Sequence, residues 1–498
     1  MKYKKMFVMF VMSLLLLSGS INAQDTNTKY GTDAGKSCSG SYNSFYGYQA
    51  GRTKTSASFN TFLGCYAGCS NTTGEQNTFV GFKAGNVNTA SFNTFLGCTA
   101  GYSNTTGKNN TFLGYQAGFS STKGNSNTFL GINAGFSNTT GNNNTFVGTN
   151  AGISNTEGNQ NTFVGNSSGN ANTKGNQNTF VGYEAGYKNN GGSRNSFYGY
   201  NAGYSNTTGT CNTFLGDWAG RFNTTGGYNT FLGYQTGRSN TTGGYNTFLG
   251  DYAGEKNTRG SQNTFVGHYA GNSTTSDYNT FLGSQSGSGN TTGQNNTFLG
   301  YQTGRSNTTG QNNTFLGTGA GYSNTTGLGN VFIGYMAGRN ETGSNKLYIA
   351  NGQATSNVLI YGDFSSGYVG IDMTNPSYQL DVNGTIRANN VSPSDIRLKK
   401  DVKPIQNALD QIINLRGVTF RWKDKKKDNG KHLGVIAQEV EKVFPEVVST
   451  DNKGYKSVAY NNLVAPLIEA VKELKAENEA LKARIETLER RPATVRER

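Results

Sequence analysis

Hydrophobic residues are scarce in this 498-residue chain, at 34%. On composition alone that leans toward disorder. Charge is also thin: the formal net charge is +14, of which +6 falls on residues 394–498 and +8 on the rest. Nucleic-acid binders concentrate basic residues on one face. The one dense basic run, Lys423-Asp424-Lys425-Lys426-Lys427, reads as a solvated turn. Nucleic acid is therefore not an expected partner. Cysteine is sparse and odd in number: Cys38, Cys65, Cys69, Cys98 and Cys211. No spacing among them resembles a zinc site, and they read as repeat variants rather than a metal or redox centre. Only two His are present, so no Ser-His-Asp arrangement suggests a processive protease. No metal or other cofactor is expected.

Long apolar runs are missing except at the start. Lys2, Lys4 and Lys5 precede the apolar stretch Met6–Leu17, and Ile21-Asn22-Ala23 ends in a small residue. Residues 1–23 therefore read as a secretory signal, too short for a comfortable membrane span. The mature chain is expected to start at Gln24, to be secreted or surface-exposed, and to lack a direct membrane span. No Cys follows closely enough for a lipid anchor.

What the chain does have is glycine, 70 residues, and 12% aromatics, in strict period. After a leader at 24–42, Asn-x-Phe recurs 18 times between Asn43 and Asn330. The step is 17 residues except twice, when it is 16. The consensus is Asn-Thr-Phe-Leu-Gly-Tyr-Gln-Ala-Gly-x-Ser-Asn-Thr-Thr-Gly-x-x. Phe fills its position in every copy, from Phe45 to Phe332, which predicts an inward column stacked coil on coil. Gly64 and Gly68 exemplify two invariant turn positions, with the small Ala67 between them. Asn at fixed phase can form a ladder. The position after the first Gly varies freely (Tyr48, Cys65, Ile132, Asp217, His268) and should face outward.

The expected fold is mainly β: a parallel β-roll or solenoid over 43–340, each coil holding two short strands and two turns. Eighteen coils at about 4.8 Å give a rod of roughly 85 Å. One coil cannot bury its own apolar face, so stability comes from stacking. Asp is scattered (Asp217, Asp251, Asp277), unlike a calcium-binding roll, and no recurring carboxylate pair supports polysaccharide cleavage. Thr arrays could order water, but the simpler expectation is a rigid spacer with an adhesive surface for a glycan or receptor. The repeats resemble the head modules of trimeric autotransporter adhesins in Asn-x-Phe-x-Gly followed by Ala-Gly and a polar turn. That resemblance implies a homotrimer, although no membrane-anchor barrel follows here; a monomeric solenoid is the alternative.

The period breaks after Asn340. Short strands are predicted at 346–350, 357–362, 368–371 and 378–384, forming a stem over 341–393. Beyond it, four pieces occur in order. They are Ser394-Asp395-Ile396-Arg397-Leu398-Lys399-Lys400-Asp401, His432-Leu433-Gly434-Val435-Ile436-Ala437-Gln438-Glu439-Val440, Tyr460-Asn461-Asn462-Leu463, and a terminal heptad helix. Together they resemble the endosialidase-type intramolecular chaperone domain of the self-cleaving peptidase S-74 family, found on phage tail fibres. The domain would span 394–462, with a coiled coil and tail over 463–498.

The resemblance implies a small α+β domain that trimerises the chain and then cuts itself off at Pro393–Ser394. It would be a single-turnover serine peptidase with no external substrate. Ser394 is the implied nucleophile and Lys399 the base. A Ser hydroxyl needs a base, and Lys can serve if burial lowers its pKa. Lys400 is an alternative base, and no oxyanion donor can be named. His432 suits packing or hydrogen bonding better than catalysis. Leu467, Leu474, Leu481 and Leu488 form one seam of the helix and Val464, Val471, Asn478 and Ile485 the other. Such seams favour two strands in simple peptides, whereas the resemblance implies three. Two other functions remain at this stage: an uncleaved trimerisation cap on an adhesin, and a polysaccharide-degrading fibre.

Overall fold

The computed structural model describes residues 26–53, 55–352, 358–384, 396–423, 430–450 and 454–490. It divides into two units, one ending at Ile386 and the other starting at Arg387.

The first unit is a parallel β-solenoid. Nineteen three-residue strands are found among its described residues, from β1 (Thr28–Tyr30) to β19 (Val331–Ile333). Each strand lies in register on the next, so Phe pairs with Phe: Phe112 with Phe129, Phe129 with Phe146. Every Phe of this column is fully buried. From Phe62 on, rings of consecutive coils stack nearly parallel, for example 4.7 Å between Phe112 and Phe129 and 4.8 Å between Phe180 and Phe197. That distance is the spacing of hydrogen-bonded strands. Where a coil has 16 residues the register holds as well, with Thr78 opposite Thr94 and Thr264 opposite Thr280. The deletion is absorbed in the turn.

One coil escaped the sequence pattern. Asn27-Thr28-Lys29-Tyr30-Gly31 puts Lys29 in the Phe position, yet β1 pairs in register with Ser44–Tyr46. Its Ala34-Gly35 pair was the surviving signal. The expected second strand per coil is not formed. Left-handed residues interrupt the backbone too often: in one coil, Gly64 (φ +142°), Tyr66 (+59°), Gly68 (+53°) and Gln76 (+55°). The backbone still bonds coil to coil there, as in Gly118 N–H to Ala134 O at 2.9 Å and Ser120 N–H to Phe136 O at 2.8 Å.

Two buried Asn ladders satisfy most of the buried polar groups, although the Oδ1 atoms of Asn104, Asn240, Asn307 and Asn324 accept no hydrogen bond. In the first, Asn110 Oδ1 accepts from Asn127 N–H at 2.9 Å, and Asn127 Oδ1 accepts from Asn144 N–H at 2.9 Å. Asn127 Nδ2 donates to Gly141 O at 2.8 Å. In the second, Asn155 Nδ2 donates to Asn138 Oδ1 at 2.7 Å and Asn172 Nδ2 to Asn155 Oδ1 at 2.8 Å. Buried amides require such partners, since each one left unsatisfied costs about 1–3 kcal/mol. The variable position after the first Gly faces water, as Tyr48, Ile132, Asp217 and His268 do. The five Cys form no disulfide.

The stem continues the sheet. β20 (Lys346–Ala350) lies parallel to β19 and puts Tyr348 opposite Phe332. β21 (Val358–Asp363) and β22 (Tyr368–Ile371) then turn back antiparallel, and β23 (Leu380–Val382) adds a parallel edge. Burial and a hydrogen bond to Glu341 push the Tyr348 phenol far up from its ordinary pKa. No described helix is long and apolar enough to cross a membrane. The predicted signal, residues 1–23, lies outside the described residues.

Candidate processing site

The second unit becomes describable at a single 3-10 turn, Ile396–Leu398. Its end is closed by Lys399 N–H donating to Ile396 O at 3.1 Å. Lys399 and Lys400 are both exposed in the single chain. Pro393 and Ser394 lie outside the described residues, so Lys399 alone of the predicted pair has a described position.

The rest of the unit is built from short elements held by polar side chains. Helix α1 (Ala408–Ile413) begins at Asn407 without a side-chain cap of its own. Glu473 supplies one instead: its carboxylate accepts from Ala408 N–H at 3.1 Å and Leu409 N–H at 2.7 Å. A carboxylate there satisfies two orphan donors and opposes the helix dipole. Strands β24 (Val418–Phe420) and β25 (His432–Gly434) form a hairpin. The His432 ring lies 5.5 Å from that of Phe420 and 6.3 Å from that of Trp422. That contact fits the packing role expected for His432.

Two of the quoted motif pieces meet in space. The Tyr460 hydroxyl accepts from Val435 N–H at 3.2 Å. A Cβ on Gly434 would lie 2.6 Å from that same oxygen, which explains why glycine stands there. Helix α2 (Ala437–Val443) carries Glu439, whose carboxylate is gripped by Arg416 through three bonds of 2.7–3.0 Å. The bonds from Arg416 hold the Glu439 carboxyl below its ordinary pKa. Glu439 lay inside a recognised motif; nothing in the sequence marked Arg416 as its partner, or Glu473 as the cap of α1. A second hairpin joins β26 (Val448–Thr450) to β27 (Lys456–Val458), and Lys456 pairs with Glu441 at 2.6 Å.

Helix α3 (Val464–Glu489) forms where the heptads predicted it. Its seams are open to water: Leu467, Val471, Leu481, Ile485 and Leu488 are each 50–59% exposed. Inside the whole unit only Ala408, Val440, Phe444, Pro466 and Ala470 are buried among the described residues. Such a core is far too thin to stabilise a unit of this size alone. Among the described residues no cluster of His, Cys, Asp or Glu could hold a metal ion.

Residues 394–449 match the family model described as chaperone of endosialidase, beginning at Ser394 itself. The long tail fiber protein Gp37 of Enterobacteria phage K3 is 40% identical over 101 residues, covering 18% of this chain and 8% of the relative. The same protein of phage T2 is also 40% identical, over 18% of this chain and 7% of its own length. A myelin gene regulatory factor-like protein of Dictyostelium discoideum is 30% identical over 161 residues, covering 28% of this chain and 17% of the relative. The chain thus spans under a fifth of the length of these curated relatives. The C-terminal segment is of the chaperone-of-endosialidase type, in a chain that is similar there to phage long tail fibre proteins.

Proposed function

We propose that the chain is an exported homotrimeric fibre whose C-terminal segment drives assembly and then leaves by one cut at Pro393–Ser394. The observation that carries this is the second unit itself: a match beginning at Ser394, with a core too thin and a helix too apolar for one copy. Export rests on residues 1–23, and adhesion to a glycan or receptor on the outward faces of the solenoid.

In the cut, the neutral Lys399 amine takes the Ser394 hydroxyl proton and Oγ attacks the Pro393 carbonyl carbon. The C–N bond breaks, the Ser394 nitrogen takes the proton, and an ester joins the two parts. Water hydrolyses that ester to a Pro393 carboxylate and restores the hydroxyl. A neutral Lys needs burial or like charge nearby. Arg397 and Lys400 are like charges close to Lys399 in sequence; Lys399 is exposed in a single copy, and burial by neighbouring copies would tie the cut to assembly. Loss of the folding aid would then make the trimer kinetically irreversible.

The exposure of Lys399 also favours a second reading, an uncleaved trimerisation cap. Intact mass of the chain from Gln24, beside Ser394→Ala and Lys399→Ala, separates the two. A fragment of residues 394–498, lost in both variants, supports the dyad. Loss in Ser394→Ala alone makes Lys400 or another group the base. A full-length trimer leaves the cap.

A further inference from the structure

The outward face of the solenoid strands is unlike its other surfaces. From β2 to β19 each strand has one inward residue, Phe, and two outward ones. From β1 to β19 the first outward position is Thr or Ser, with Val331 the single exception. The second is Leu, Val, Ile or Tyr in every coil. Neither column carries one charged residue. Charges occupy the other outward columns instead: Lys83, Lys108, Asp217, Arg221, Arg238 and Glu255. The aliphatic column is open to water, with Leu96 42%, Leu215 46% and Leu316 42% exposed.

Single exposed leucines mean little, but an unbroken Leu/Val/Ile/Tyr column of this length, flanked by Thr and Ser and free of charge, marks an interface. Its size can be worked out. Three residues at about 3.3 Å make the strip about 10 Å wide, and about 4.8 Å per coil over nineteen coils gives about 900 Å². A standard interface uses about 800 Å² on each partner. We infer that the Thr/aliphatic face is where copies of this chain meet, turned toward their common axis, while the charged and aromatic columns face outward. This rests on the homotrimer proposed above and adds which face makes it. The occupant is a second copy of the chain because strip and helix α3 pose the same problem: both expose an uncharged, periodic row of aliphatic side chains, and identical copies in register cover both.

The test uses the full chain with its five Cys replaced by Ser. Into that parent, Leu130→Cys places a thiol on the strip, and Ile132→Cys places one on the variable outward column two residues on. Native mass of the parent reports the oligomer, and oxidation with copper phenanthroline reports the face. The expected result is a trimer in which Leu130→Cys cross-links two copies and Ile132→Cys does not. In parallel, Leu113→Lys with Leu130→Lys and Val147→Lys should separate the solenoids, whereas Tyr115→Lys with Ile132→Lys and Thr149→Lys should leave them together. A trimer that cross-links through Ile132→Cys but not through Leu130→Cys, or that tolerates the first lysine triplet, overturns the face and leaves the trimer standing. A monomeric parent overturns both.

Discussion

Replacing Phe180 by Ala tests the stacking argument at its centre. The ring is fully buried, 4.9 Å from Phe163 and 4.8 Å from Phe197. Gly186 lies so close that a Cβ there would meet the ring at 2.5 Å, and it has no side chain to fill the gap. A Phe buries about 150–250 Å², worth about 4–6 kcal/mol at about 25 cal/mol per Å². Core Phe→Ala substitutions cost about 3–5 kcal/mol. We therefore expect about 3–5 kcal/mol, felt mainly in the coil of Phe180 and its two neighbours, because coils touch only adjacent coils. Global unfolding is a poor probe of so long an array, since two-state behaviour fails there. Native-state hydrogen exchange is the right assay. Amides near Val164, Val181 and Tyr198 should lose protection while those near Phe62 and Phe315 keep theirs. Lys174→Ala, exposed and 3.6 Å from Glu157, is the control and should change stability by less than about 1 kcal/mol. A loss under about 1 kcal/mol for Phe180→Ala, or one spread evenly over all coils, would refute the reasoning.

The glycine turns give a sharper contrast in the same region. Gly182→Ala must hold φ near +140° with its Cβ 2.3 Å from Gly199 O, and should unfold the local coils; Gly191→Ala meets nothing within 4 Å and should be near neutral by thermal melting. Glu473→Ala removes the cap from α1 and should destabilise it by about 1–2 kcal/mol, read as faster exchange at Ala408 and Leu409. Because Arg416 holds Glu439 below its ordinary pKa, that pair stabilises the fold above the unfolded Glu range. The contribution falls away as pH drops through the folded value. Glu439→Gln should therefore flatten the acid limb of the stability profile; an unchanged limb would count against the pair.

How much could be read in advance follows from how much was local. The Phe column, the Gly turns, the first Asn ladder and the outward position of Asp217 and His268 belong to a motif repeated eighteen times, so period alone exposed them. The first coil was missed because Lys29 fills the Phe slot: pairing with the next coil tolerates at the end of the stack what the interior does not. The second strand was over-read, since polar residues such as Gln76 adopt left-handed angles that composition does not announce. In the stem, the strands at Lys346, Tyr368 and Leu380 followed from short apolar runs set between turn residues. In the C-terminal unit the motifs were legible, but the grips of Glu473 on α1 and Arg416 on Glu439 join residues 64 and 23 positions apart, beyond any local pattern. The proposed pairing of Ser394 with Lys399 rests on the family resemblance, since Ser394 lies outside the described residues and Lys399 is exposed in a single chain.

The identical register of every coil on the next makes solenoid length a quantity that can vary by itself. Each coil shows the same bonding rows to the coil before and the coil after, so duplicating or deleting one 17-residue unit rebuilds an equivalent contact without any compensating change. The 16-residue coils go further, since a lost turn residue leaves the strands aligned. Gene-level slippage within such a tract would lengthen or shorten the reach of the molecule in steps of about 4.8 Å while leaving both of its ends untouched. The repeat tract thus acts as an adjustable ruler, and a change in its length need not disturb the C-terminal unit.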